Sequence, residues 1–121
     1  MTAKIKEEKI GKLRIYLKSG ETVKGEKLIH KIFPENKYKR MLDEAKKSGI
    51  LNAHIYHTHA ASERGGDVAH HQAEGDNNGL TVCLELVDKK EKLELFFSKH
   101  KAMLKNKTVI FSEVENWSFE E

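Results

Sequence analysis

Leu13, Ile15 and Leu17 alternate with Arg14, Tyr16 and Lys18, a period-two pattern that predicts a strand with one buried face. Ser19-Gly20 ends it, and Gly20-Glu-Thr-Val-Lys-Gly25 makes a short connection. From Glu26 the spacing turns helical, with Leu28, Ile29, Ile32 and Phe33 sharing one face up to Pro34. Pro34 is the only proline and predicts a break or kink, because it lacks an N–H and disfavours helical geometry in Phe33. Tyr38, Met41, Leu42 and Ala45 then form the apolar face of a second helical segment, with Gly49 placed as its left-handed cap.

Strand patterning returns at Ile50. Ala53, Ile55, His57 and His59 fall on one parity, and Asn52, His54, Tyr56 and Thr58 on the other. After a polar loop, the apolar run Leu80 to Val87 predicts a central buried strand. Asp88 is placed to N-cap a helix starting at Lys89, with Glu91 completing a capping box. Leu93, Phe96, Phe97, His100 and Leu104 form the buried stripe of that helix, which ends at Asn106. Thr108 to Val114 is the last strand, and Trp117 and Phe119 are expected to cover the sheet edge or a subunit interface.

The order β-α-β-loop-β-α-β predicts a ferredoxin-like α+β fold, an antiparallel sheet with two helices on one face. The other face is left needing a partner, for which oligomerisation is the simplest solution. Residues 1–11 are charged and weakly patterned, and read as a flexible lead-in to one domain over 12–119.

Composition narrows the function classes. At 121 residues the chain supports one core. Its net charge of +3 comes from Lys interleaved with Glu along the whole length, the mark of solvated helix faces, so no nucleic-acid partner is expected. Cys83 is the only cysteine and lies in the apolar run, where burial makes it an inert thiol. No signal peptide or membrane-spanning run is visible, so the expected location is the cytoplasm. Neither a nucleophile with a spaced base nor a cofactor glycine motif is visible, so the chain is not expected to be an enzyme.

The chemistry-bearing stretch is His54 to Gly79, which holds five of the seven histidines. His57 and His59 share one strand face about 7 Å apart, within reach of one metal ion. His70, His71, Asp67, Glu74 and Asp76 offer further ligands for a divalent metal. The same residues also read simply as an exposed polar loop. Arg64-Gly65-Gly66-Asp67 reads either as a small anion nest or as a hinge.

The segments Lys12 to Leu17, Gly20-Glu21, Lys24 to Glu26, Ala45 to Ala53 and Leu80 to Leu93 resemble the small PII-like proteins of the domain-of-unknown-function family 190. This resemblance implies a PII-like homotrimer in which residues 60–79 are the T-loop. It also implies a small effector, such as an adenine nucleotide, in an intersubunit cleft, and a target protein such as a membrane transporter or an enzyme. Nitrogen-regulatory PII proteins carry a glycine-rich phosphate loop where this chain has Lys105-Asn106-Lys107, so Arg64, Lys105 and Lys107 are the expected source of positive charge. Two functions follow: a regulatory protein acting through loop 60–79, or a metal-binding or metal-tolerance protein similar to the CutA branch, using His57, His59, His70 and His71.

Overall fold

A computed structural model describes residues 2–23, 35–72 and 75–120. The helical stretch Leu28 to Phe33, His30, the Pro34 break and Glu74 lie outside the described residues. The alternating run around Ile15 forms strand β1, Ile5–Lys18. Strands β2, Thr22–Val23, and β3, Glu35–Asn36, pair in a short ladder ahead of helix α1, Lys37–Lys47. Strand β4, Asn52–His57, leads to a small hairpin of β5, Ala60–Ala61, and β6, Ala69–His70. Strand β7, Thr81–Asp88, is followed by helices α2, Lys90–Lys99, and α3, Lys101–Leu104, and the chain closes with β8, Thr108–Phe119.

The main sheet has the order β4-β7-β1-β8, with each neighbouring pair antiparallel. The chain therefore has the expected ferredoxin-like α+β fold, with the two long inner strands shared between its two halves. Leu13, Ile15 and Leu17 face the same side as Val82, Leu84 and Leu86, and Met41, Ala45, Leu93 and Phe96 from α1 and α2 close over them. Burying each of these large apolar side chains contributes about 1.5–3 kcal/mol.

A local signal explains the C-terminal end of α1. Gly49 takes φ 73°, its N–H donates to Lys46 O at 3.0 Å, and Ile50 N–H donates to Ala45 O at 3.1 Å. Those two bonds make a Schellman cap, which needs a residue with positive φ. At the same end of the sheet Gly11, opposite Asp88, is favoured by close approach, since a Cβ there would lie 2.5 Å from the Phe111 ring and 2.9 Å from Leu93.

Several expectations change. Structure begins at Ile5 rather than Lys12, so residues 5–11 belong to the sheet and not to a lead-in. Beyond Gly11, β1 pairs with β8 alone, so residues 5–10 and 114–119 form a two-stranded ribbon. Backbone pairing builds this ribbon without a buried face, which is why the side-chain pattern does not announce it. Trp117 and Phe119 lie within it, 62% and 73% exposed.

Asp88 is not the N-cap of α2. That position falls to Lys89, with no side-chain cap, because the Asp88 carboxylate is engaged elsewhere. It accepts from Leu51 N–H at 2.8 Å and Lys89 N–H at 2.7 Å and pairs with Lys92 at 3.1 Å, tying the start of β4 to the end of β7. The helical stripe also breaks at His100, between α2 and α3, and Phe97 is exposed rather than buried.

The opposite face of the sheet carries Glu85, which is buried and held by Lys12 at 3.2 Å and Arg14 at 3.7 Å. Cys83 lies beside it, and burial raises its thiol pKa above the ordinary value, as expected of an inert cysteine. No helix among the described residues is long and apolar enough to cross a membrane.

Leu84 is fully buried at the sheet centre, and Leu84→Ala is expected to cost about 3 kcal/mol, read by urea unfolding. His100 is 8% exposed against Phe96, and its buried Nε2 has no hydrogen-bond partner among the described residues. Burial lowers its pKa, Glu44 opposes this, and Lys99 and Arg40 add to it. The unfolded chain therefore takes up that proton first, so stability is full above the ordinary value of 6.5 and declines as pH falls below it. Thermal midpoints measured from pH 7.5 to 5 should drop on the acid side, and His100→Leu should reduce the slope.

Candidate functional site

The pairing register brings four strand ends together. Lys18 faces Thr81, Tyr16 faces Thr108 and His57 faces Val82, so β1 and β4 finish where β7 and β8 begin. The connection 60–79 leaves and returns at this end. Two clefts flank its foot, and Thr81, itself buried, lines both.

The first cleft encloses about 200 Å³ and draws Arg64 from the loop and Lys107 from the turn before β8 to one place. Arg64 Nη2 donates to Asn106 O at 2.9 Å, and Lys107 pairs with Glu21. Thr81 Oγ1 donates to Glu63 Oε1 at 2.6 Å, and Thr58 Oγ1 donates to Thr81 O at 2.6 Å. Partial burial pushes the Glu21 carboxyl upward, but hydrogen bonds from Lys107 and the Lys18 N–H outweigh this, aided by the charges of Lys107 and Lys37. Its pKa is therefore lowered, and Glu21 is a carboxylate at neutral pH. The charged residues of this lining are Lys18, Arg64 and Lys107 against Glu21 and Glu63. An anion that displaced Glu21 would meet a cluster of cations.

Two residues here hold positive φ without being glycine: Arg64 at 52° and Asn106 at 66°. Arg64 and Gly65, at 73°, are the middle of a turn closed by Gly66 N–H to Glu63 O at 2.9 Å. That is the type I′ arrangement, and the left-handed conformation costs an arginine roughly 1–2 kcal/mol. The turn bond uses the Gly66 N–H, which is thereby withdrawn from the expected anion nest. Gly65, Gly66 and Lys105 do not line the cleft. Asn106 takes the left-handed position that a glycine would fill, so the turn does without the glycine that the sequence lacks.

The second cleft, of about 360 Å³, lies on the other side of the loop foot and is lined by Tyr38, His57, His59, His71 and Asn77, among others. The His59 and His71 rings stand 5.4 Å apart, centroid to centroid, and His71 N–H donates to His59 O at 2.5 Å. His57 packs edge-on to Tyr38 at 5.5 Å. His70, opposite Ala60 in the hairpin, does not line the cleft. Among the described residues no three His, Cys, Asp or Glu side chains gather in a metal-holding group, so the four histidines named from the sequence are divided.

The return of the loop is fixed by its asparagines. Asn77 Oδ1 accepts from Gln72 N–H at 2.8 Å and its Nδ2 donates to Gln72 O at 2.9 Å, while Asn78 N–H donates to Asp76 Oδ1 at 2.8 Å. Ser19 Oγ donates to Asn77 O at 2.5 Å, joining the loop to the end of β1. Sequence reasoning missed Glu21, Glu63, Tyr38, Asn77 and Thr81 as parts of these clefts. Of these only Asn77 carries a local signal, since Asp76-Asn-Asn-Gly79 has the composition of a turn.

The model of the DUF190 family, "Uncharacterized ACR", matches residues 10–116. No curated protein matches the chain. Among solved structures the chain is similar to CPII, a nitrogen regulatory PII-like protein from Thiomonas intermedia K12, in a form bound to ADP, AMP and bicarbonate. The TM-score is 0.59 at 13% identity, covering 92% of this chain and 91% of that one. A form of CPII bound to ADP and bicarbonate gives 0.58 at 14% identity, covering 95% and 98%. A protein of Thermus thermophilus assigned to PII-like signaling gives 0.54 at 16% identity, covering 93% and 91%. At these identities the likeness carries the fold and not the ligand.

Thr81→Val removes the hydroxyl donated to Glu63 while keeping the side-chain shape. It should lower stability by about 1 kcal/mol and speed amide exchange over residues 60–66, read by urea unfolding and exchange mass spectrometry.

Proposed function

The chain belongs to the DUF190 family and has the PII-like fold, and from that premise we propose that it is a regulatory protein that senses a small anionic effector at the foot of loop 60–79. The carrying observation is that Arg64 and Lys107 converge on one cleft, with the loop arginine bonded to the backbone of the turn before β8. An effector phosphate there competes with Glu21 for Lys107 and with Asn106 O for Arg64. Loop position and effector occupancy are thereby coupled. The mechanism is a population shift: an effector that binds one loop state better moves the equilibrium toward it, and a target protein reads the result. No chemistry on the effector is needed, so the reading is of a cytoplasmic regulator and not an enzyme. Its target, as the resemblance implied, is a membrane transporter or an enzyme.

An adenine nucleotide is the proposed effector, supported by the ADP and AMP named with CPII. The cleft is smaller than the roughly 300–1,000 Å³ of a typical small-molecule site, so it holds the phosphates and leaves the rest of the ligand to a neighbouring copy. A homotrimer supplies that neighbour. Among the described residues the edge strands β4 and β8 each leave one side unpaired, and the face bearing Tyr16, Tyr56 and Ile110 is uncovered, all suited to burial between copies.

Isothermal titration with ADP, AMP, ATP and bicarbonate tests this directly. At least one adenine nucleotide should bind, and the Arg64→Ala, Lys107→Ala double variant should weaken it tenfold or more, with sizing giving a trimer. A monomer, or unchanged affinity in the double variant, would remove the reading.

A further inference from the structure

The second cleft carries chemistry of its own, and the geometry points to a divalent transition-metal ion held there by His59 and His71. A metal lies about 2.0–2.1 Å from a ligating imidazole nitrogen and so about 3 Å from the ring centre, which sets two ligating rings at a tetrahedral centre about 5 Å apart. The observed separation is 5.4 Å. The backbone bond from His71 N–H to His59 O, which continues the β5–β6 ladder, holds the two backbones side by side and so keeps both imidazoles within reach of one ion. Two further groups of the lining, the His57 imidazole and the Ser19 hydroxyl, stand in the same cleft. Water completes the coordination, since no third ligand of the usual kinds joins the pair among the described residues.

The donor set selects the ion. Among the described residues no carboxylate lines the cleft, and its facing imidazoles suit a transition metal better than hard cations such as magnesium and calcium, which take oxygen ligands. Imidazole suits copper, nickel, zinc and cobalt, and copper and nickel should lead in affinity. The position gives the ion a consequence: His59 directly precedes β5 and His71 directly follows β6, so one ion bridging them closes the foot of the hairpin. Binding therefore holds residues 60–70 in the hairpin arrangement. This second input reaches the same loop from the side opposite Arg64 and does not depend on a nucleotide filling the first cleft.

The test is calorimetric titration of tag-free protein with nickel chloride at pH 7.5, without nucleotide. One nickel ion per chain is expected, weakened tenfold or more by His59→Ala and by His71→Ala and unchanged by His70→Ala, whose side chain lies outside the cleft. All three positions are exposed, so the substitutions should leave the fold intact, as circular dichroism can verify. Affinity should fall at pH 5.5, because protons compete with the metal for the ligating imidazole nitrogens. Amide exchange over 60–71 should slow on adding nickel. Absence of saturable binding, unchanged affinity in the His59 and His71 variants, or an equal loss in His70→Ala would overturn the site. The Arg64→Ala, Lys107→Ala variant should bind nickel as the native chain does; loss there would show that the two clefts are not separate.

Discussion

Strand β1 is hydrogen-bonded on both sides, to β7 over residues 11–18 and to β8 over residues 5–16, and the rest of the molecule follows from that double pairing. Ile15 lies between Leu84 and Val109, and its neighbours Leu13 and Leu17 point the same way. Because strand side chains alternate, a slip of one residue would turn all three outward and put Arg14 and Tyr16 into the core. The penalty for slipping is several buried side chains at once. The register is therefore held by the core and not by any turn.

The same register sets the working end of the molecule. Once Lys18 faces Thr81 and Tyr16 faces Thr108, the foot of the long loop and the turn before β8 must meet. Thr81 then becomes a common wall: its hydroxyl is committed to Glu63 on the loop and its carbonyl to Thr58. Positive charge gathers on one side of it and imidazoles on the other. Both groups therefore border the same loop, the arrangement on which the proposed function rests.

Much of the scaffold is legible in the chain itself. The α1 face of Tyr38, Met41, Leu42 and Ala45, its Gly49 cap and the central strand around Leu84 lie where periodicity puts them. The ribbon of residues 5–10 and 114–119 is not legible, because its residues are mostly exposed and its backbone pairing leaves no apolar alternation. Asp88 shows a different failure. It satisfies the local rule for a cap, yet the Leu51 N–H brought to it by the fold takes one carboxylate oxygen, Oδ2, while Lys89 N–H takes the other, Oδ1.

Sequence alone determined which core stretches alternate, where α1 ends at its Gly49 cap and that the histidines crowd into one connection, since those are properties of neighbours along the chain. It grouped Arg64 and Lys107 with Lys105, which lies outside their cleft, and His57, His59 and His71 with His70, which lies outside theirs. Only the tertiary structure could decide those relations, because contacts such as Arg64 with Asn106 and Lys107 with Glu21 join residues far apart in sequence. Distances of that kind are set by strand register and sheet order, which no local pattern encodes.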